Sequence, residues 1–105
     1  MKRVVLESPF AGDIVQNMFY LRRAMAHCIS KGEAPFASHG LYTQPGVLND
    51  DIPGERELGI QAGFAWGKEA DYVVVYTDLG ITPGMKKGIA FYETQGLPIH
   101  YRKIL

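Results

Sequence analysis

Five consecutive residues, Tyr72-Val73-Val74-Val75-Tyr76, are aromatic or β-branched and carry no charge. They make the strongest strand pattern in the chain and are expected at the centre of a sheet. Arg3 to Leu6 is short, β-branched and apolar, the pattern of a strand buried on both faces, with a turn-forming Ser8-Pro9 after it. The period then changes. Ile14, Met18, Leu21, Met25, Cys28 and Ile29 recur at three- and four-residue steps, which predicts an amphipathic helix from Asp13 to about Ser30. Asp13 suits its N-cap and Gly32 its termination. Ala34 to Ala37 makes a second strand, and Ser38 to Gly54 reads as a long loop with three glycines, two prolines and no clear period. Glu55 to Gly67 is a second helix despite its glycines, which close packing on a sheet or a neighbouring subunit would explain. A third helix runs from Thr82 or Pro83 to about Gln95, and Pro98 to Tyr101 is the last strand.

Strands separated by helices imply a parallel sheet with right-handed crossovers and helices on both faces. The expected fold is an α/β three-layer sandwich, flavodoxin-like or Rossmann-like, with about four strands in the order 2-1-3-4. Its switch point lies between the first and third strands, where ligands bind outside the carboxyl ends. At 105 residues and 11.7 kDa, residues 1–105 are expected to form one domain.

Composition narrows the function classes. Eleven Lys and Arg balance eleven Asp and Glu, which argues against a protein that binds nucleic acid through bulk charge. Cys28 is the only cysteine, so neither an internal disulfide nor a cysteine-based zinc site is available. No metal constellation appears, and the Walker, G-x-G-x-x-G and G-x-S-x-G patterns are absent, so no metal or cofactor is expected. No apolar run approaches the ~20 residues of a membrane span. The N-terminus reads as a strand rather than a signal peptide, and the expected compartment is the cytoplasm.

Three segments follow strands and are therefore candidates for a site. In DLGITPGMKKG, Thr82, Gly84 and Met85 open a helix beside Lys86 and Lys87, and free first-turn amides make a natural phosphate seat. The alternative is an ordinary capped helix with solvated lysines. ESPFAGD brings together the Ser8 hydroxyl, the rigid Pro9 and the Phe10 ring, able to floor a base or ribose pocket or simply to turn the chain. ASHGLYTQ places His39, Tyr42 and Gln44 on the second loop; the histidine can donate to a phosphate or sugar hydroxyl, or merely pack. Elsewhere, Glu55-Arg56 opens the second helix, where an arginine can fork onto a phosphate or the pair can be a solvated first turn. Asp78, just past the central strand, can hold a ribose hydroxyl or make a turn. Trp66, at helical spacing for core or interface, is read as interface.

Taken in order, ESPFAG, QNMFYLRRA, APFASHGLYTQ, ERELGI and ITPGMKKGI resemble the nucleoside 2-deoxyribosyltransferase-like superfamily, closest to its small domains found in bacteriophages and mobile elements. The resemblance covers nearly the whole chain. It implies a self-associating α/β domain with a nucleoside or nucleotide site near the subunit interface. In catalytic members, a glutamate early in the last helix attacks the anomeric carbon, within a Ser-x-Gly-x-x-x-Glu pattern. Here that pattern aligns with Thr82, Gly84 and Gly88, so the nucleophile position is glycine. The loss is expected to remove negative charge and bulk from the pocket, leaving a site that binds phosphates and admits a larger ligand.

The reading that follows is a non-catalytic nucleotide-binding protein, a phage-type sponge for a nucleotide immune signal such as an ADP-ribose derivative or a cyclic nucleotide. Its alternatives are an N-glycoside hydrolase or deoxyribosyltransferase using Glu55 or Asp78, and a structural oligomer without ligand.

Overall fold

Side-chain alternation along the two middle strands decides the architecture. In a computed structural model describing residues 1–105, β1 (Lys2–Glu7), β2 (Glu33–Phe36), β3 (Tyr72–Tyr76) and β4 (Ile99–Arg102) form one sheet in the order β2-β1-β3-β4. All three pairings are parallel, with Val4 opposite Tyr72 and Val73 opposite Ile99. Successive side chains of a strand face opposite ways. Val4, Leu6, Val74 and Tyr76 therefore meet α1 (Ile14–Ser30) through Tyr20, Leu21, Ala24 and Cys28. Val5, Val73 and Val75 meet α4 (Pro83–Thr94) through Met85, Ile89 and Tyr92, with Phe64 of α3 (Pro53–Gly67) packed alongside. Residues Val73 to Tyr76 are fully excluded from solvent, as a central strand covered on both faces requires.

The expected caps form. Asp13 accepts a hydrogen bond from the Gln16 N–H, and Thr82 accepts one from the Met85 N–H with Pro83 in the first turn of α4. Gly32 and Gly96 follow α1 and α4 with φ of +76°, a conformation that glycine adopts without strain.

Several boundaries move, and β1 gains a residue at each end. The stretch expected as one loop from Ser38 to Gly54 contains α2 (Ser38–Leu41), a single turn too short to show a period, and its last two residues already belong to α3. β2 starts one residue earlier than expected and β4 ends one later. Glu33 and Arg102, the residues so added, hold each other across the sheet. Two of the α3 glycines are explained by neighbouring helices rather than by the sheet. A Cβ at Gly63 would stand 2.6 Å from the Ser38 Cβ, and one at Gly67 would collide with the Tyr92 hydroxyl. These glycines let α3 close onto α2 and α4.

One polar network lies beneath α1. Arg102 donates to Glu33 through two parallel bonds of 2.7 and 2.6 Å, and Tyr72 donates to the same carboxylate at 2.5 Å. Arg102 also donates to the Tyr76 hydroxyl, which bonds His27 Nδ1 at 2.8 Å. The Arg102 guanidinium is the main reason the Glu33 carboxyl is held down to about 2. Folding therefore gains from this carboxylate above its ordinary value of 4.5, and the gain is lost as pH falls toward 2. Removing one partner of a buried pair strands the other. Glu33→Gln should lower stability at neutral pH by about 3 kcal/mol, read from urea unfolding midpoints, and should flatten the acid limb of the profile.

Candidate functional site

The chain turns to one side of the sheet after β1 and to the other after β3, which opens a crevice at their carboxyl ends. The crevice is a cavity of about 500 Å³, walled by the β1 loop, α2, α3 and the first turns of α4. Ser8, Phe10, His39, Tyr42, Glu55, Arg56, Thr82, Gly84, Met85 and Gly88 all line it.

Four residues expected at the site lie elsewhere. Pro9 is buried and shapes the turn beneath the loop. Gln44 turns back to donate to the Leu41 carbonyl at 3.1 Å. Asp78 is occupied by the Tyr20 hydroxyl at 2.6 Å and by the backbone N–H groups of Ile104 and Leu105, so it fastens the C-terminal residues to the end of β3. Lys86 is exposed and absent from the cavity wall. At about 100° per residue the face carrying Gly84 and Gly88 includes position 87 and excludes 86. Lys87 is accordingly the lysine on the wall, paired with Glu57 at 3.3 Å. Trp66 is exposed on α3, where nothing in the chain covers it.

The β1 loop and α2 are joined by a bond between Ser8 Oγ and His39 Nε2 at 2.8 Å. The Phe10 ring meets the imidazole edge-on at 6.5 Å. Burial holds the His39 imidazole down to about 4, so it is neutral at physiological pH and acts as a polar brace rather than a cation for phosphate. Positive potential comes from elsewhere. A Cβ at Gly84 would lie 3.8 Å from Arg56 Nη2, which places the guanidinium beside the first turn of α4. First-turn amides have no carbonyl of their own helix to bond, and the helix dipole adds to the cation next to them. Phe10, Tyr42 and Phe64 bring aromatic rings to the same cavity, and Phe64 is itself stacked on Phe91 at 3.8 Å.

The residue missed from sequence is Glu7. It is the last residue of β1, lines the cavity and receives no hydrogen bond from the protein, and burial pushes its carboxyl up to about 8. It also corrects the expectation drawn from Gly88. A Cβ at position 88 would stand 2.5 Å from Glu7 Oε1, so the space left by the missing side chain holds a carboxyl from β1. The room expected at Gly88 is taken up, and the carboxyl that takes it is uncharged at neutral pH. Its signal in the sequence was an acidic residue closing the apolar run Val4–Leu6, at the carboxyl end of the strand where ligands bind.

The fold is nucleoside 2-deoxyribosyltransferase-like. The solved 2-deoxyribosyltransferase of the psychrotolerant bacterium Bacillus psychrosaccharolyticus matches with a TM-score of 0.74 and 16% identity, over 96% of this chain and 72% of that one. That enzyme is described as a biocatalyst for the synthesis of antiviral and antitumoral nucleosides. A family model described as "Domain of unknown function (DUF7768)" matches residues 2–102. No curated protein matches the chain. No helix is long and apolar enough to cross a membrane, and no group of three or more His, Cys, Asp or Glu side chains is placed to hold a metal ion.

An acid that folding prefers protonated weakens the fold as pH rises. For Glu7 the loss runs from its ordinary 4.5 up to about 8. Glu7→Gln cannot ionise, so it should be more stable than the wild type, with the difference growing between about pH 5 and about pH 9 in urea unfolding. A variant less stable at both ends would show that the carboxyl has a structural partner.

Proposed function

We propose that this chain, which belongs to the DUF7768 family, binds a phosphate-bearing nucleoside in the cavity at the carboxyl ends of β1 and β3, with residues 1–105 acting as one binding domain. The observation that carries the reading is Arg56 standing beside the first turn of α4, in a cavity that also presents aromatic rings. A guanidinium and a helix N-terminus together favour a phosphate, and Phe10, Tyr42 and Phe64 suit a planar base. The 2-deoxyribosyltransferase fold supports a nucleoside as the scaffold of that ligand.

With glycine at 88, the site reads as one that holds its ligand intact, the behaviour of a sponge that sequesters a nucleotide signal in a phage-infected cytoplasm. The Glu7 carboxyl favours a second reading, cleavage of the N-glycosidic bond. The exposed Val15, Phe19, Leu58 and Trp66 support self-association of the chain.

The protein is incubated with deoxynucleoside 5′-monophosphates, cyclic nucleotides, ADP-ribose and phosphate-free nucleosides, then separated, denatured and read by mass spectrometry. Phosphate-bearing compounds should be retained over their phosphate-free counterparts, and Arg56→Ala should weaken that retention by roughly tenfold or more. Equal retention of phosphate-free nucleosides would overturn the phosphate assignment. Failure of every compound to bind or to raise the melting temperature would leave a structural oligomer.

A further inference from the structure

Two independent features converge on one point of the cavity wall. Glu7 ends β1 with its carboxyl among cavity-lining residues and without a hydrogen bond from the protein. On the facing helix, Gly88 is the residue whose Cβ would stand 2.5 Å from Glu7 Oε1 and 3.0 Å from its Cδ. An unpaired acid in a partly closed cavity is costly to keep, whereas the buried carboxylate of this chain, Glu33, is fully paired. Stability gives no reason for Glu7, and packing gives the reason for Gly88.

Resting on the reading of the cavity as a nucleotide site, we infer that Glu7 is its proton donor, the carboxyl that protonates the departing base of a bound nucleotide while water adds to the anomeric carbon. The chemistry follows from which bond a proton weakens. Protonating the base draws electrons from the C1′–N bond, which breaks with its electron pair on the base nitrogen. A water oxygen bonds C1′, and the proton that this water sheds returns to the Glu7 carboxylate. Water is consumed, free base and sugar phosphate are formed, and the carboxyl is regenerated. The role differs from that of a carboxylate nucleophile, which must be ionised to attack. Glu7 keeps its proton at neutral pH because burial disfavours the anion.

Other groups on the cavity wall set the pH response. Arg56, Lys87, Glu55 and Asp50 share the cavity wall with Glu7, whose acidity is weakened by desolvation, and His39 and Tyr92 face the cavity uncharged at neutral pH. The acid form is the working one, so base release should hold below about pH 8 and fall tenfold for each further unit.

The test uses the whole chain with deoxynucleoside 5′-monophosphates and ADP-ribose, reading bound ligand and released base separately. The wild type should release base, and Glu7→Gln should retain binding while losing about a hundredfold or more in release. Gly88→Ala should keep the helix, since alanine favours it, while forcing the Glu7 carboxyl aside and lowering release. Melting curves of both variants establish that they are folded. Release by Glu7→Gln at the wild-type rate would overturn the assignment. Stoichiometric recovery of intact ligand from the wild type would also overturn it and leave a sequestering protein. Absence of binding by any compound would overturn the nucleotide reading itself, and this inference with it.

Discussion

Everything in this molecule depends on β1 and β3 lying side by side and parallel, with apolar side chains on both faces. A parallel pair cannot be joined by a tight turn, so each connection must cross over one face, and two middle strands with two wet faces would not be stable. Crossing on opposite faces satisfies both demands at once. It also obliges the chain to diverge where the two strands end, so the crevice follows from the same packing that makes the core. The groups around it come from the segments that follow β1, β2 and β3, joined by α3 and by the last residue of β1.

Inside this frame two carboxylates, Glu33 buried and Glu7 half-buried, are treated in opposite ways. Glu33 is gripped by Arg102 and Tyr72, and its acidity is strengthened to about 2. Glu7 has no such partner, and its acidity is weakened until it titrates at about 8. The residue type is the same, with Glu33 buried in the sheet and Glu7 half-buried at the cavity. What differs is whether a cation and a phenol stand within reach. The first arrangement ties β2 to β4 and belongs to the fold; the second adds nothing to the fold and faces the cavity.

Much of this was legible in the sequence, for identifiable reasons. Tyr72–Tyr76 matched its strand to the residue because β-branched runs between turn formers leave no other reading. Asp13 and Thr82 were recognisable as caps because a side-chain acceptor three residues ahead of a free amide has a fixed chemistry. The strand order was recoverable from handed crossovers and a resemblance that spans the chain. What escaped was whatever depends on contacts between distant segments. The face of α4 that reaches the cavity separates Lys87 from Lys86. The reach of the C-terminus takes Asp78 out of the site. A one-turn helix such as α2 has no period to read. Glu7 was hidden because a strand's last residue looks like strand, and because the vacancy at Gly88 looks like loss until the neighbouring strand is in place.

That interlock between positions 7 and 88 makes the two sites depend on each other. A side chain at 88 would meet the end of the Glu7 side chain, which must swing aside to admit it. An acid introduced on α4 while Glu7 is kept would bring two carboxyls to one spot, where mutual repulsion opposes the ionisation of both. The effect of a substitution at either position is therefore set by what stands at the other.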